Sequence, residues 1–196
     1  MNKIFELAKN ALNNHQIIAF PTETVFGLGI YYDDYQAYLK MNEIKRRNEN
    51  KPYTLMLSSI EEITKYADVA DKYWPIIKKY MPGSLTILVK CKDTIPNFIN
   101  HGTGIIGIRI PSNKEALDLL KSLEKPLLVP SANKANEKPA MNDLEVKNIF
   151  GDEIAVVLPG EAKGGQPSTI IDLTDKKIEL VRAGPISLKD IENCLD

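Results

Sequence analysis

Apolar and polar positions follow two periods along this chain, and the elements can be read from where the period changes. Ile4, Leu7, Ala8, Ala11 and Leu12 recur at helical spacing and predict a first helix with one buried face. Ile17 to Phe20 is a short apolar run stopped by Pro21, which reads as a buried strand. A second helix is predicted from a cap at Asp33 or Asp34 to about Arg46, with Tyr35, Tyr38, Leu39 and Met41 on its apolar side. Thr54 to Leu57 is a strand, and Ser59 with Glu62 forms a capping box for the next helix. Leu85, Ile87 and Val89 alternate with Thr86, Leu88 and Lys90, a strand with a buried face. Ile105 to Ile110 is another, ended by Pro111, and a helix follows from about Asn113 to Leu123. Leu127 to Val129 is a short strand, and Asn142 caps a helix running to about Phe150. Ile154 to Leu158, Thr169 to Leu173 and Ile178 to Val181 are predicted strands, the last two flanking a hairpin turn at residues 174–177. Ser187 and Asp190 open a closing helix. No repeat, low-complexity tract or linker divides the sequence. The interleaved strands and helices predict one α/β domain over residues 1–196, and the hairpin makes its sheet mixed.

Composition narrows the function classes. With 43% hydrophobic residues among 196, the chain can bury a sizeable core. Its 25 basic and 26 acidic residues give a net charge of -1, so contact with nucleic acid would need a local patch. Cys91 and Cys194 stand far apart and outside any CxxC pair, against a zinc ribbon or a disulfide framework. The first residues are amphipathic, with no apolar stretch leading to a cleavage site. No apolar run approaches the roughly 18 residues of a membrane span. The expected location is the cytoplasm, with no membrane partner.

Several kinds of site are excluded. There is no P-loop, no GxGxxG, no GxSxG elbow and no HExxH, and two histidines, His15 and His101, cannot build a His-rich metal site. No protein-held metal is expected. Five segments remain that are polar at structural boundaries. Residues 21–29, Pro-Thr-Glu-Thr-Val-Phe-Gly-Leu-Gly, follow a strand directly, where α/β proteins gather ligands, and could equally form a tight turn. Lys45 to Lys51 carries four cations in seven residues, either a solvated helix end or, if the helix stops between Lys45 and Arg47, a converging cluster. Arg109 interrupts an apolar strand on the face shared with Gly107 and Ile105. It is placed for a bidentate grip on a carboxylate or phosphate, or for a structural ion pair. Ser131 and Asn133 follow a buried strand and can point the same way, as ligand contacts or as a capping turn. Ser168 stands at the mouth of a strand, and Arg182 ends the next.

In this order the segments resemble the YrdC/TsaC family, the threonylcarbamoyl-AMP synthases, from about Ile17 to Ile186. Lys45-Arg46-Arg47 and, far downstream, Ser131-Ala132-Asn133 match the family's Lys-x-Arg and Ser-x-Asn. Around them stand PTETVFGLG, KPYTLM, MPGSLTILV, GIRIP, PSTIID and LVRAGPI. The resemblance implies a twisted mixed sheet with surrounding helices and a concave, positively lined cavity. It implies that L-threonine, bicarbonate and ATP become threonylcarbamoyl-adenylate and pyrophosphate, with Mg2+ carried on ATP, for modification of tRNA by a downstream threonylcarbamoyl transferase complex. By resemblance, Thr24, Arg109, Ser131 and Ser168 line the threonine side. Met56 stands where some relatives place a His near the threonine. Arg47, Lys51, Ser131, Asn133 and Arg182 hold ATP, and Ile105 and Met141 align with positions that also touch the nucleotide. Lys45 and Arg47 take the catalytic role, as cations beside the developing phosphate charge. Phe26 replaces the usual Tyr, which removes a hydroxyl, and the chain resembles the short form without an extra C-terminal domain. Two other readings are open. One is a module that grips double-stranded RNA or tRNA without catalysis; a pure RNA binder would ignore threonine. The other is a carbamoyltransferase, since a similar domain occurs in the large hydrogenase-maturation proteins; this sequence lacks their zinc-finger and acylphosphatase modules.

Overall fold

The computed structural model describes residues 2–46 and 52–195. Its strands are β1 (Ile18–Phe20), β2 (Gly27–Tyr31), β3 (Thr54–Met56), β4 (Ala67–Asp68), β5 (Leu85–Cys91), β6 (Ile105–Arg109), β7 (Leu127–Leu128), β8 (Val156–Val157), β9 (Thr169–Asp172) and β10 (Glu179–Arg182). Its helices are α1 (Lys3–Asn13), α2 (Tyr35–Lys45), α3 (Ile63–Tyr66), α4 (Trp74–Tyr80), α5 (Asn97–Asn100), α6 (Lys114–Ser122), α7 (Asp143–Phe150) and α8 (Leu188–Glu192), with short 3-10 turns between them. The strands form one sheet in the order β10-β9-β5-β6-β3-β7-β2-β1-β8, with β4 added beside β5. The pairs β1–β8, β3–β6 and β5–β9 are parallel and the others antiparallel, so the sheet is mixed.

The strand pleat sorts side chains into two layers. Ala19, Leu28, Ile30, Leu55, Ile87, Ile108, Leu128 and Ile171 point into the larger core, which α2, α4 and α7 also fill. Ile18, Phe20, Tyr31, Met56 and Leu127 point the other way, into a smaller core built from α1 and α6. Those two helices do not reach the β5–β6–β9 part of this second face. There the outward positions include Thr86, Gly107, Arg109 and Ile170, and a cavity forms over Thr86, Arg109 and Ile170. The site is therefore the stretch of the second face that helices leave uncovered.

Local signals and observed caps agree closely. Asp34, Asn113, Asn142 and Ser187 each accept a backbone N–H from the third residue on, as expected of N-caps. Helix faces agree less well. The buried side of α1 is Phe5, Ala8, Ala11 and Leu12, and Leu7 is 51% exposed. In α2 the inward residues are Ala37, Tyr38, Met41, Asn42 and Lys45, and Tyr35 and Leu39 face out. The helix turns a polar edge inward because Asn42 and Lys45 have acceptors and donors to meet there. Ser59 precedes a 3-10 turn, Ile60–Glu62, without a side-chain cap, and Glu62 accepts from the amide of Ser58 at 3.0 Å. Strand β2 has no counterpart in the sequence pattern. Its two glycines erase the alternation, and packing requires them. A Cβ on Gly27 would lie 2.5 Å from Cγ1 of Val129, and one on Gly29 would lie 2.9 Å from Cε1 of Phe20.

Candidate active site

Strand β6 carries Arg109 onto the uncovered face, where it is 7% exposed. Its guanidinium is held from two sides. Nε donates to the carbonyl of Gly83 at 3.3 Å, and one terminal nitrogen donates to Glu23 Oε1 at 2.6 Å and Thr24 Oγ1 at 2.9 Å. Glu23 and Thr24 lie in the connection from β1 to β2, which Pro21 turns away from the sheet edge. The Thr24 hydroxyl lies 2.9 Å from that of Thr22, which donates to the carbonyl of Val25 at 2.7 Å. The result is a relay of fixed hydroxyls leading from the guanidinium. Both alternatives open for Arg109 coexist: it is in a structural ion pair and it lines a cavity.

A second arginine faces the same space from the sheet edge. Arg182, at the end of β10, forks onto the carbonyl of Ser168 with Nε at 3.0 Å and a terminal nitrogen at 2.9 Å; that nitrogen also reaches Ser168 Oγ at 3.1 Å. Ser168 Oγ in turn lies 2.7 Å from Thr86 Oγ1. Arg182 has no carboxylate partner among the described residues. Arg182 is exposed as a residue, but partial covering of its guanidinium at Ser168, and then the charge of Arg109, lower its pKa from the usual arginine value. Two guanidinium groups that feel each other's charge, with Glu23 offsetting one of them, make this an anion-favouring cavity.

The third wall is the segment after β7. It continues beside β2, with the amide of Leu28 bonded to the carbonyl of Pro130 at 2.9 Å and that of Ala132 to the carbonyl of Phe26 at 2.8 Å. Ser131 donates to Asn133 Oδ1 at 2.6 Å, and the Asn133 amide donates to the carbonyls of Lys134 and Glu137 at 2.8 and 3.0 Å. Lys45, 2% exposed at the last position of α2, donates to the carbonyls of Ser131 at 2.5 Å and Asn133 at 2.7 Å. Lys45 of the Lys-x-Arg motif thus meets the Ser-x-Asn segment. Lys45 lies behind the loop rather than in the cavity. One turn earlier, Asn42 Oδ1 accepts from the Tyr53 hydroxyl at 2.5 Å, and Tyr53 lines the cavity.

The cavity measures about 150 Å³. Of the sequence candidates, Met56, Arg109, Ser131, Ser168 and Arg182 line it. Thr24 stands one hydrogen bond away on Arg109, and Asn133 one bond behind Ser131. Ile105 shares the face of Arg109 but opens β6 four residues away, roughly 13 Å along the strand, and does not line the cavity. Met141 packs half-buried against the larger core, its amide donating to Glu145 at 2.7 Å, also outside the lining. Arg47 and Lys51 lie outside the described residues. Phe26 borders the cavity with an apolar ring. Sequence reasoning did not single out Glu23, Tyr53 or Thr86. The available signals were a carboxylate in an otherwise neutral segment and a threonine in the outward register of an apolar strand. Among the described residues no group of three or more His, Cys, Asp or Glu is placed to hold a metal. Nor is any helix among them long and apolar enough to cross a membrane.

A family model described as Sua5_yciO_yrdC, telomere recombination, matches residues 10–184. The chain belongs to the Sua5/YciO/YrdC family. A threonylcarbamoyl-AMP synthase of Pyrococcus abyssi is 29% identical over 96% of this chain, which spans 56% of that protein. A threonylcarbamoyl-AMP synthase of Vibrio parahaemolyticus is 30% identical over 92% of this chain and 98% of its own length. Among solved structures, P. abyssi Sua5 complexed with L-threonine superposes with a TM-score of 0.92 at 30% identity, covering 97% of this chain and 56% of that one.

Proposed function

We propose that this member of the family is a nucleotidyl-transferring threonylcarbamoyl-AMP synthase, acting in the cytoplasm on L-threonine, bicarbonate and ATP. The observation that carries the reading is the arrangement of two fixed guanidinium groups, Arg109 and Arg182, over one small hydroxyl-lined cavity. A carboxylate and a phosphate brought together need such a pair. The threonine complex of P. abyssi Sua5, a structure this chain resembles closely, supports an amino-acid ligand.

The chemistry asks little of a protein nucleophile. The threonine amine attacks the carbon of bicarbonate, and loss of water leaves a carbamate. A carbamate oxygen then bonds to the α-phosphorus of ATP as the bond to the bridging oxygen breaks, and pyrophosphate leaves. The protein supplies placement and positive charge. Arg109, held by Glu23, Thr24 and Gly83, takes the amino-acid carboxylate. Ser131 stands between the two halves, and Asn133 and Arg182 serve the nucleotide, with Arg47 and Lys51 assigned to its phosphates by family resemblance. Magnesium would arrive on the triphosphate, which fits a cavity whose one nearby carboxylate among the described residues, Glu23, is already engaged with Arg109 and backbone amides. The adenylate would then pass to a threonylcarbamoyl transferase complex acting on tRNA. The test is pyrophosphate release by purified protein with magnesium and ATP. Release should require both L-threonine and bicarbonate, with threonylcarbamoyl-AMP seen by mass spectrometry. Release independent of either substrate would refute the proposal.

A further inference from the structure

We propose that Glu23 is a positioning residue that sets the affinity for the amino-acid substrate by fixing the Arg109 fork. The inference rests on the reading of Arg109 as the threonine-carboxylate ligand. Both Glu23 oxygens are committed to the protein. Oε1 accepts from Arg109 at 2.6 Å, and Oε2 accepts from the amides of Ser112 at 3.1 Å and Asn113 at 3.4 Å, where α6 begins. Glu23 therefore ties three segments together: the β1–β2 connection, the end of β6 and the start of α6. The side chains of the pair are 8% and 18% exposed, so water competes weakly for either partner. With Glu23 and Thr24 occupying one terminal nitrogen of Arg109 and Gly83 occupying Nε, the donors of the other terminal nitrogen meet no protein acceptor among the described residues and are left for a ligand.

Only a carboxylate of this length meets all of these donors. Glutamine offers one acceptor and one donor group, so its NH2 would face either the guanidinium or the amides of Ser112 and Asn113. Aspartate is one methylene shorter and cannot span the same two sides. A competing role makes the opposite prediction. If Glu23 only balanced charge, removing its negative charge beside an anion site would tighten anion binding. If it positions Arg109, the same change loosens the fork and weakens binding.

The experiment is calorimetric titration of L-threonine and of ATP, separately, into wild type, Glu23→Gln and Glu23→Asp. Threonine Kd should rise about ten-fold or more in both variants, the scale of one lost charge-assisted hydrogen bond, with ATP Kd changed by less than about three-fold. Threonine binding that is unchanged or tighter overturns the inference, as does an equal loss for both ligands, which marks a general structural defect. If wild type itself does not bind threonine, the proposed function fails before the inference is reached. Should the Glu23 variants not fold, Thr24→Val removes the other acceptor on the same Arg109 nitrogen and leaves every charge in place. A selective rise in threonine Kd is expected there too, and an unchanged value would count as a refutation.

Discussion

Replacing Lys45 by methionine separates two meanings of the Lys-x-Arg segment. Methionine has nearly the reach of the lysine stem and lacks the ammonium. Lys45 is 2% exposed and bonded at 2.5 and 2.7 Å to the carbonyls of Ser131 and Asn133. Two hydrogen bonds from a charged donor give a gross loss of about 3–6 kcal/mol. Against this, burying the ammonium costs several kcal/mol that methionine does not incur. The net destabilisation is then about 1–3 kcal/mol, which lowers Tm by about 2–4 °C for each kcal/mol in a domain of this size. The released carbonyls belong to the wall that presents Ser131 and Asn133, so nucleotide affinity should fall as well, by about ten-fold if about 1.4 kcal/mol of preorganisation is lost. Since the ammonium is directed at loop carbonyls, the factor should be the same for adenosine, AMP and ATP. Calorimetric titration of the three ligands, with a thermal melt of each protein, measures both quantities. An unchanged Tm together with a loss that grows with the number of phosphates would refute this reasoning and put Lys45 on the phosphates.

Two further outcomes follow from the cavity walls. With hydroxyls of Thr22, Thr86, Ser131 and Ser168 around the amino-acid side, serine should support pyrophosphate release better than valine, although valine matches threonine in shape; equal turnover of valine and threonine would contradict it. Gly164→Ala would place a Cβ 2.5 Å from the carbonyl oxygen of Glu23 and 2.9 Å from Cα of Thr24, both backbone atoms. A stability loss of about 1–3 kcal/mol is expected, with weaker threonine binding, and a melt and titration identical to wild type would show that this close approach is not used.

The parts of the fold legible in the sequence are those decided within a few residues. A cap needs only a short polar side chain and an amide three residues ahead, so Asn113 and Asn142 could be read as caps in the sequence and act so in the structure. Alternation in β5 was equally plain, because Leu85, Ile87 and Val89 all enter one core. What a helix buries depends on what lies against it. In α2 the sequence favours the aromatic and aliphatic side, yet Tyr35 is 53% exposed while Lys45 is covered, because the loop carbonyls and Tyr53 demand donors and acceptors from that edge. Strand β2 shows the same limit from the other direction. Gly27 and Gly29 carry no hydropathy signal, and the reason for them is the side chains of Val129, just past β7, and Phe20, in β1.

The site divides along the same line. A polar residue in the outward register of a buried strand can be recognised from sequence, and Arg109 was. Its partner could not be, since Glu23 lies 86 residues away and reaches it only because the sheet brings the end of β6 beside the β1–β2 connection. Lys45 and Ser131 are likewise 86 residues apart, and Thr86 and Ser168 are 82 apart. In the Arg109–Glu23 and Ser168–Thr86 contacts, a side chain that sequence reasoning assigned to a ligand meets a group it did not single out, while Lys45, assigned there to the phosphates, instead holds the Ser131 carbonyl. Spacing therefore identifies residues able to touch a substrate but not those that hold them still, because the first property belongs to a residue and its strand and the second to the topology. In this protein the holding groups are buried or half-buried and fully engaged, as Glu23 is with three donors. Their substitution should change selectivity between ligands before it abolishes folding.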